Sequence, residues 1–180
     1  MSRKVVLIVA GLTLVVALSI ISLSCGCSKP AQFVTYTDEV NGFAIDYPEE
    51  WHVEHPSNDP QIKVAIWRKK VNQSPIGIIV TKYEASGHTL ESFSGFQIGR
   101  LPDKIDDYAP ISTEEITING MPAVKHIYNE TLASHLYTSV QVYLVQGGAE
   151  WILAFHSPQE SFASYESTGD TALNSFRLLE

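Results

Sequence analysis

Beyond residue 33 the dominant signal along this chain is a period of two. In Phe43-Ala44-Ile45-Asp46-Tyr47 large apolar side chains alternate with Ala and Asp, the pattern of a strand with one buried face. Asn41-Gly42 precedes it, a dipeptide that tolerates positive φ and favours hairpin turns, so 34–39 and 43–47 are expected to pair antiparallel. Pro48 withholds a ladder donor and ends the second strand, and the alternation resumes at Trp51 and Val53. Further strands are expected over 62–69 and 76–83. Two more hairpins follow: 111–118 with 121–128 about Asn119-Gly120, and 136–145 with 150–156 about Gly147-Gly148.

The period changes twice. From Thr89, a capping residue, Leu90, Phe93, Gln97 and Leu101 recur at helical spacing, although Gly95 and Gly99 weaken the helix. Near the end, Ser157-Pro158-Gln159-Glu160 reads as a capping serine, a proline at the first helical position and a glutamate three residues after the cap. Phe162, Tyr165, Leu173 and Phe176 then fall near one face as core residues. Recurring hairpins with two helices predict an α+β domain: a mostly antiparallel sheet covered by helices.

The first 27 residues follow a different rule. Arg3 and Lys4 precede an uncharged apolar run, Val5 to Leu23, and then Ser24-Cys25-Gly26-Cys27. Positive charge, apolar stretch and small residues are the layout of an export signal, and the rest of the chain is delivered outward. Nineteen residues make a helix of about 28 Å, nearly a bilayer core, so an uncleaved anchor is the physical alternative. The cysteines resemble the lipobox of bacterial lipoproteins, which implies cleavage after residue 26 and acylation of Cys27, with Cys25 as the alternative acceptor. Ser24 or Ser22 stands where that pattern places Leu, Val or Ile. The expected organisation is a signal peptide over 1–26, a tether over 27–33 and one domain over 34–180.

Charge and cysteine narrow the function further. Setting aside Arg3 and Lys4, ten basic side chains face twenty acidic ones, a balance of −10 that repels phosphate backbones and excludes nucleic acid as a natural partner. The basic run Arg68-Lys69-Lys70 reads as a solvated strand end. Cys25 and Cys27 are the only cysteines, so the domain holds no disulfide, thiol nucleophile or zinc ribbon.

Three stretches resemble one family. Asn41-Gly42-Phe43-Ala44-Ile45-Asp46-Tyr47-Pro48-Glu49-Glu50-Trp51 resembles the opening motif of PsbP-like and Mog1-like domains, in which a strand ending in Tyr-Pro leads to a Trp after a short turn. Ile118-Asn119-Gly120-Met121-Pro122-Ala123 is similar to their central hairpin, and Ala172-Leu173-Asn174-Ser175-Phe176-Arg177 to their closing helix. The resemblance implies an α/β/α sandwich about a central twisted antiparallel sheet. It implies no shared catalytic constellation, and no functional residue is carried over.

The residues offer little chemistry of their own. No nucleophile elbow, phosphate loop, His-Glu-x-x-His, dinucleotide fingerprint or calcium loop occurs. Glu49 and Glu50 lie side by side on a turn, where nothing drives their pKa values apart, so they read as solvated. His52 and His55, with Asp59 nearby, are the candidate ligands for a loose divalent site, converging only if the chain turns between them. His88, His126, His135 and His156 are scattered and read as ordinary strand and loop residues. The sequence thus points to a membrane-tethered extracytoplasmic lipoprotein without enzymatic activity or cofactor, binding a protein partner or a small ligand. The alternatives are an extracytoplasmic hydrolase with an unrecognised site, or a metal or small-ligand carrier.

Overall fold

The computed structural model describes residues 31–68 and 75–179. The leader, both cysteines, the first part of the expected tether, Lys69 and Lys70 lie outside the described residues. Residues from Ala31 onward form one compact unit. Its strands are β1 (Phe33–Asp38), β2 (Phe43–Pro48), β3 (His52–Glu54), β4 (Ile62–Arg68), β5 (Ile76–Glu84), β6 (Ala109–Ile118), β7 (Met121–Leu132), β8 (His135–Gln146), β9 (Ala149–Pro158) and β10 (Arg177–Leu178). The helices are α1 (Leu90–Gly99), α2 (Leu101–Lys104) and α3 (Gln159–Asn174).

Every pairing among the described residues is antiparallel. Seven strands form the main sheet in the order β3-β4-β5-β9-β8-β7-β6, and β1-β2-β10 form a second, smaller one. The expected α+β sandwich is present, with one refinement: the small sheet shares a layer with α3 on one face of the main sheet, and α1 covers the other. Alternation explains this division. Val64, Ile66, Ile78, Val80, Val140, Val142, Leu144, Trp151, Leu153 and Phe155 point to one face and meet Phe43, Ile45, Leu173 and Phe176. Tyr83, Val124, Tyr143 and Ile152 point to the other face and receive Phe93 of α1.

Phe43, Trp151 and Phe176 join the layers as a triangle of rings, with centroids 5.6, 5.8 and 5.3 Å apart. Lys82 crosses the same seam, its ammonium over Trp151 and donating to the Asn41 carbonyl at 3.0 Å. Trp51 is only 4% exposed while Glu49 and Glu50 stand in solvent, so the Tyr-Pro-Glu-Glu-Trp corner is architectural. Two glycines are fixed by close approach: a Cβ on Gly77 would meet the Trp67 ring at 2.0 Å, and one on Gly169 would meet Phe155 at 2.5 Å.

Three local expectations need correction. The first turn is no two-residue hairpin; Gly42 N–H closes a wider loop onto the Asp38 carbonyl at 2.8 Å, with Asn41 held by the Asp38 carboxylate. Second, Ser157 does not cap α3. It pairs with Thr138 and Pro158 with Tyr137, so the β8–β9 ladder claims both residues and the helix begins at Gln159 without a side-chain cap. Third, β7 runs four residues beyond 128 and β8 begins one residue before 136, so the two meet at Ala133-Ser134, where both residues hold positive φ (49° and 67°).

Such a turn favours Asn-Gly, and each L-residue forced left-handed costs about 1–2 kcal/mol. Combining Ala133→Asn with Ser134→Gly should therefore stabilise the domain by about 1 kcal/mol, seen as a melting temperature raised by about 2–4 °C.

Candidate functional site

α1 forms because Thr89 caps it, its hydroxyl accepting from Ser92 N–H at 3.2 Å, and because Phe93 anchors it between Tyr83 and Tyr143. The helix covers β7 and β8 and stops short of β6, the outermost strand. A groove of about 750 Å³ is left between them, lined by Leu90, Glu91, Ser94, Gly95, Ile98 and Gly99 of α1 and by Thr113, Glu114, Glu115 and Val124 of the sheet. It adjoins a second hollow of about 530 Å³ that shares Leu90 and Glu115 and reaches Pro122 and Ala123.

The chemistry of this groove is one-sided. Glu91 and Glu115 are exposed at its rim, Glu114 turns to the opposite face of β6 beside Lys125 and Asp170, and among the described residues no Lys or Arg lines the groove. Its floor is apolar. Gly95 and Gly99, one helical turn apart, have open space where a Cβ would stand. Costly to the helix as they are, these two glycines also keep the wall of the groove low. β6 itself is exposed from Ala109 to Glu115 and, among the described residues, carries a free backbone edge.

Behind the groove lies a polar stratum that the sequence does not disclose. His126 is buried; its Nδ1 lies 2.7 Å from Thr113 Oγ1 and its Nε2 2.9 Å from Tyr108 Oη. Burial lowers its pKa, with a hydrogen bond to the Ser112 backbone working against the shift. Both ring nitrogens are engaged, so neither is free to take a proton from a ligand. Next in the row, Gln141 donates to Tyr128 Oη at 2.9 Å and accepts from Tyr143 Oη. Burial pushes both tyrosines far above their ordinary range.

Two Ser/His/Glu sets invite comparison with a hydrolytic relay. Ser139 Oγ donates to Glu130 and lies 2.7 Å from His156 Nδ1, which is itself 3.3 Å from Glu130 Oε1. Ser86 Oγ donates to Glu150 Oε1 at 2.6 Å and lies 2.6 Å from His88 Nδ1, which is 3.0 Å from the same oxygen. In a relay the carboxylate holds Nδ1 and the serine meets Nε2, so that the ring passes a proton between them. Here serine and glutamate crowd one nitrogen and bond to each other. The serine is held as a donor to a carboxylate, so these triangles fasten strands and a loop together.

The two candidate metal ligands, His52 and His55, have separate partners. His52 Nε2 lies 3.7 Å from Glu54 Oε1, while His55 Nδ1 faces the Lys63 carbonyl at 3.3 Å and its ring packs 5.8 Å from Tyr36. Asp59 accepts from Gln61 N–H. None of these contacts joins the two rings, and the described residues contain no group of three or more His, Cys, Asp or Glu able to hold a metal ion. The other four histidines divide: His88, His126 and His156 are networked as above, whereas His135 stands exposed on the β7–β8 hairpin.

No protein-family model matches the sequence, and no curated protein matches it. Solved structures do. The cyanobacterial PsbP of Synechocystis aligns with a TM-score of 0.64 at 17% identity, over 86% of this chain and 97% of that one. A Pseudomonas aeruginosa protein of unknown function gives 0.57 at 13%, covering 80% and 95%. LpqN of Mycobacterium tuberculosis gives 0.56 at 13%, covering 86% and 88%. The domain has a PsbP-like fold, as the three motifs implied. At these identities the likeness concerns the fold alone.

Proposed function

We propose that this chain is an extracytoplasmic accessory protein, tethered to a membrane through Cys27, that binds an extended basic peptide segment of a protein partner in the groove between α1 and β6. One observation carries the reading: a hollow with an apolar floor and two rim carboxylates, Glu91 and Glu115, opens beside a long strand edge that no described strand pairs. A partner backbone can pair with the edge of β6, and lysine or arginine side chains complement Glu91 and Glu115. The low wall at Gly95 and Gly99 leaves room for the added chain.

Other features support the same reading. The leader has the layout of an export signal, and among the described residues no helix is long and apolar enough to cross a membrane. LpqN, one of the structural neighbours, is described as involved in cell envelope biogenesis. The internally satisfied Ser/His/Glu triangles supply no activated nucleophile for the hydrolase alternative.

A displayed library of random peptides tests the groove. The protein should enrich segments that carry Lys or Arg among β-favouring residues. Reversing Glu91 and Glu115 to Lys should weaken a selected peptide by about tenfold or more, equivalent to about 1.4 kcal/mol. Those two side chains are exposed, so folding should be unchanged by circular dichroism. Enrichment of acidic or purely apolar peptides, or equal binding by the reversed variant, would sink the proposal.

A further inference from the structure

The outer part of the β7–β8 hairpin has no task in the groove. The β8–β9 ladder ends at Tyr137 opposite Pro158, and the β6–β7 ladder ends at Ala109 opposite Asn129. Residues 131–136 therefore project past both flanking strands as a two-stranded finger, closed by the Leu132–His135 pair. Thr131 braces its root, donating to the Asp106 carbonyl and to Asp107 Oδ2, each at 2.9 Å. The finger carries no charged residue from Thr131 to Tyr137. Leu132, 46% exposed, and Leu136, 55% exposed, stand on opposite faces of the ribbon, Leu132 sharing its face with His135 and Leu136 with Thr131, and Ile111, 56% exposed, lies on the adjoining start of β6. Exposed leucines on both arms of a strained, projecting turn do not serve the core.

The register places this finger relative to the start of the domain. β1 begins at Phe33 opposite Pro48, and the tight turn closed by Trp51 N–H on the Pro48 carbonyl leads directly into His52. His52 pairs with Trp67, Trp67 with Gly77, Gly77 with His156, His156 with Ser139, and Ser139 with Tyr128. Beyond that row, toward the chain ends of β4, β7 and β9, lies the finger. The N-terminus of the domain and the finger thus belong to the same end of the main sheet. The Asn119-Gly120 and Gly147-Gly148 turns belong to the other.

This end is also where the chain leaves for its anchor. Residues 28–32 separate Cys27 from β1, and an extended chain spans at most about 3.3–3.6 Å per residue, so Phe33 stays within roughly 20 Å of an acylated Cys27. A domain held that closely brings this end of the sheet to the bilayer.

We infer that the β7–β8 finger is a membrane-contacting element: Leu132 and Leu136 enter the bilayer interface and fix the orientation of the tethered domain. This inference rests on the membrane-tethered reading above. Apolar burial drives the contact, because the finger offers no Lys or Arg to anionic headgroups, its one titratable side chain being His135, and Asp106 and Asp107 stand at its root. The insertion is therefore shallow and requires no anionic lipid. In the resulting pose the groove, which extends toward Pro122 and Ala123 at the opposite end of the sheet, stays open to a partner.

A thiol placed at the tip tests this in the full, processed protein, since the domain has no cysteine of its own. An environment-sensitive fluorophore on Ser134→Cys should shift to the blue and be quenched by brominated phosphatidylcholine vesicles. The same label on Gln146→Cys, beside the Gly147-Gly148 turn, should do neither. Adding Leu132→Asp and Leu136→Asp should abolish the shift at position 134 while circular dichroism stays native, because both leucines are exposed. A water-exposed label at 134 in protein whose acylated N-terminus is confirmed by mass spectrometry would overturn the inference and leave the tether standing. A blue shift indifferent to bromolipid would overturn it in favour of contact between copies. An unacylated N-terminus, with Cys27→Ser fractionating as wild type does, would overturn both the tether and the finger's role.

Discussion

Replacing Phe176 with Ala should destabilise the domain by about 3–5 kcal/mol, the usual cost of truncating a buried aromatic residue. Phe176 is fully buried and touches both Phe43 of the small sheet and Trp151 of the main one. Its loss removes two of the three ring pairs that join the layers and leaves a cavity that neither rigid sheet can collapse to fill. The backbone adds to the effect. Asn119 Nδ2 donates to the Phe176 carbonyl at 2.9 Å and to the Asn174 carbonyl at 3.1 Å, while β10 meets β2 through two residue pairs only. Set against a domain stability of about 5–15 kcal/mol, the substitution consumes about a fifth of the total or more. Urea titration should show the midpoint falling sharply. Phe176→Leu, which keeps most of the volume, should cost less than about 1.5 kcal/mol. Equal losses for the two variants would mean that the ring triangle is not what couples the sheets.

The second large effect concerns Glu130. Burial alone would raise its pKa, but hydrogen bonds from His156 and Ser139 and the attraction of His156 outweigh that penalty and leave it below the ordinary carboxylate value of 4.5. A carboxylate whose folded pKa is depressed adds stability that is fully present above its unfolded pKa and lost as pH falls through the folded one. Wild-type stability should therefore decline below about pH 4.5, and Glu130→Gln should remove that part of the decline. At neutral pH, Glu130→Ala should cost about 1–3 kcal/mol, because Ser139 and His156 lose a buried hydrogen-bond partner. Chemical denaturation across pH 3 to 8 distinguishes the outcomes. If the Gln variant kept the full wild-type acid slope, the triangle would not be its source.

The strands are legible because alternation writes burial directly into sequence. Phe43, Ile45, Val140, Val142, Leu144, Leu153 and Phe155 each point where a period of two places them, and Thr89 caps α1 as its position implies. The failures have physical causes. Ser157-Pro158 offers the same residues to a cap and to a strand end, and the local pattern does not show that the β8–β9 hairpin runs on until Tyr137 pairs with Pro158. Ala133-Ser134 adopts a turn geometry that its composition disfavours, so no dipeptide signal marks it. His126 and His156 look isolated along the chain because their partners Tyr108, Thr113, Ser139 and Glu130 become neighbours only through register. The groove is hidden for a related reason: it is made by where α1 stops, and a sequence gives no account of an uncovered strand. Gly95 and Gly99 are its trace, legible by themselves only as a cost to the helix.

The bare margin of β6 has one more consequence. The proposed lipid tether would confine copies of the protein to a plane, where crowding lets neighbours collide edge to edge far more often than in free solution. Unpaired N–H and C=O groups along ten residues would then template a growing ribbon of identical chains. Glu114 and Glu115 near the middle of that margin set like charges against each other whenever two copies align, and Pro110 removes one donor near its start. The same charge proposed to meet a basic guest would also oppose polymerisation of the protein with itself.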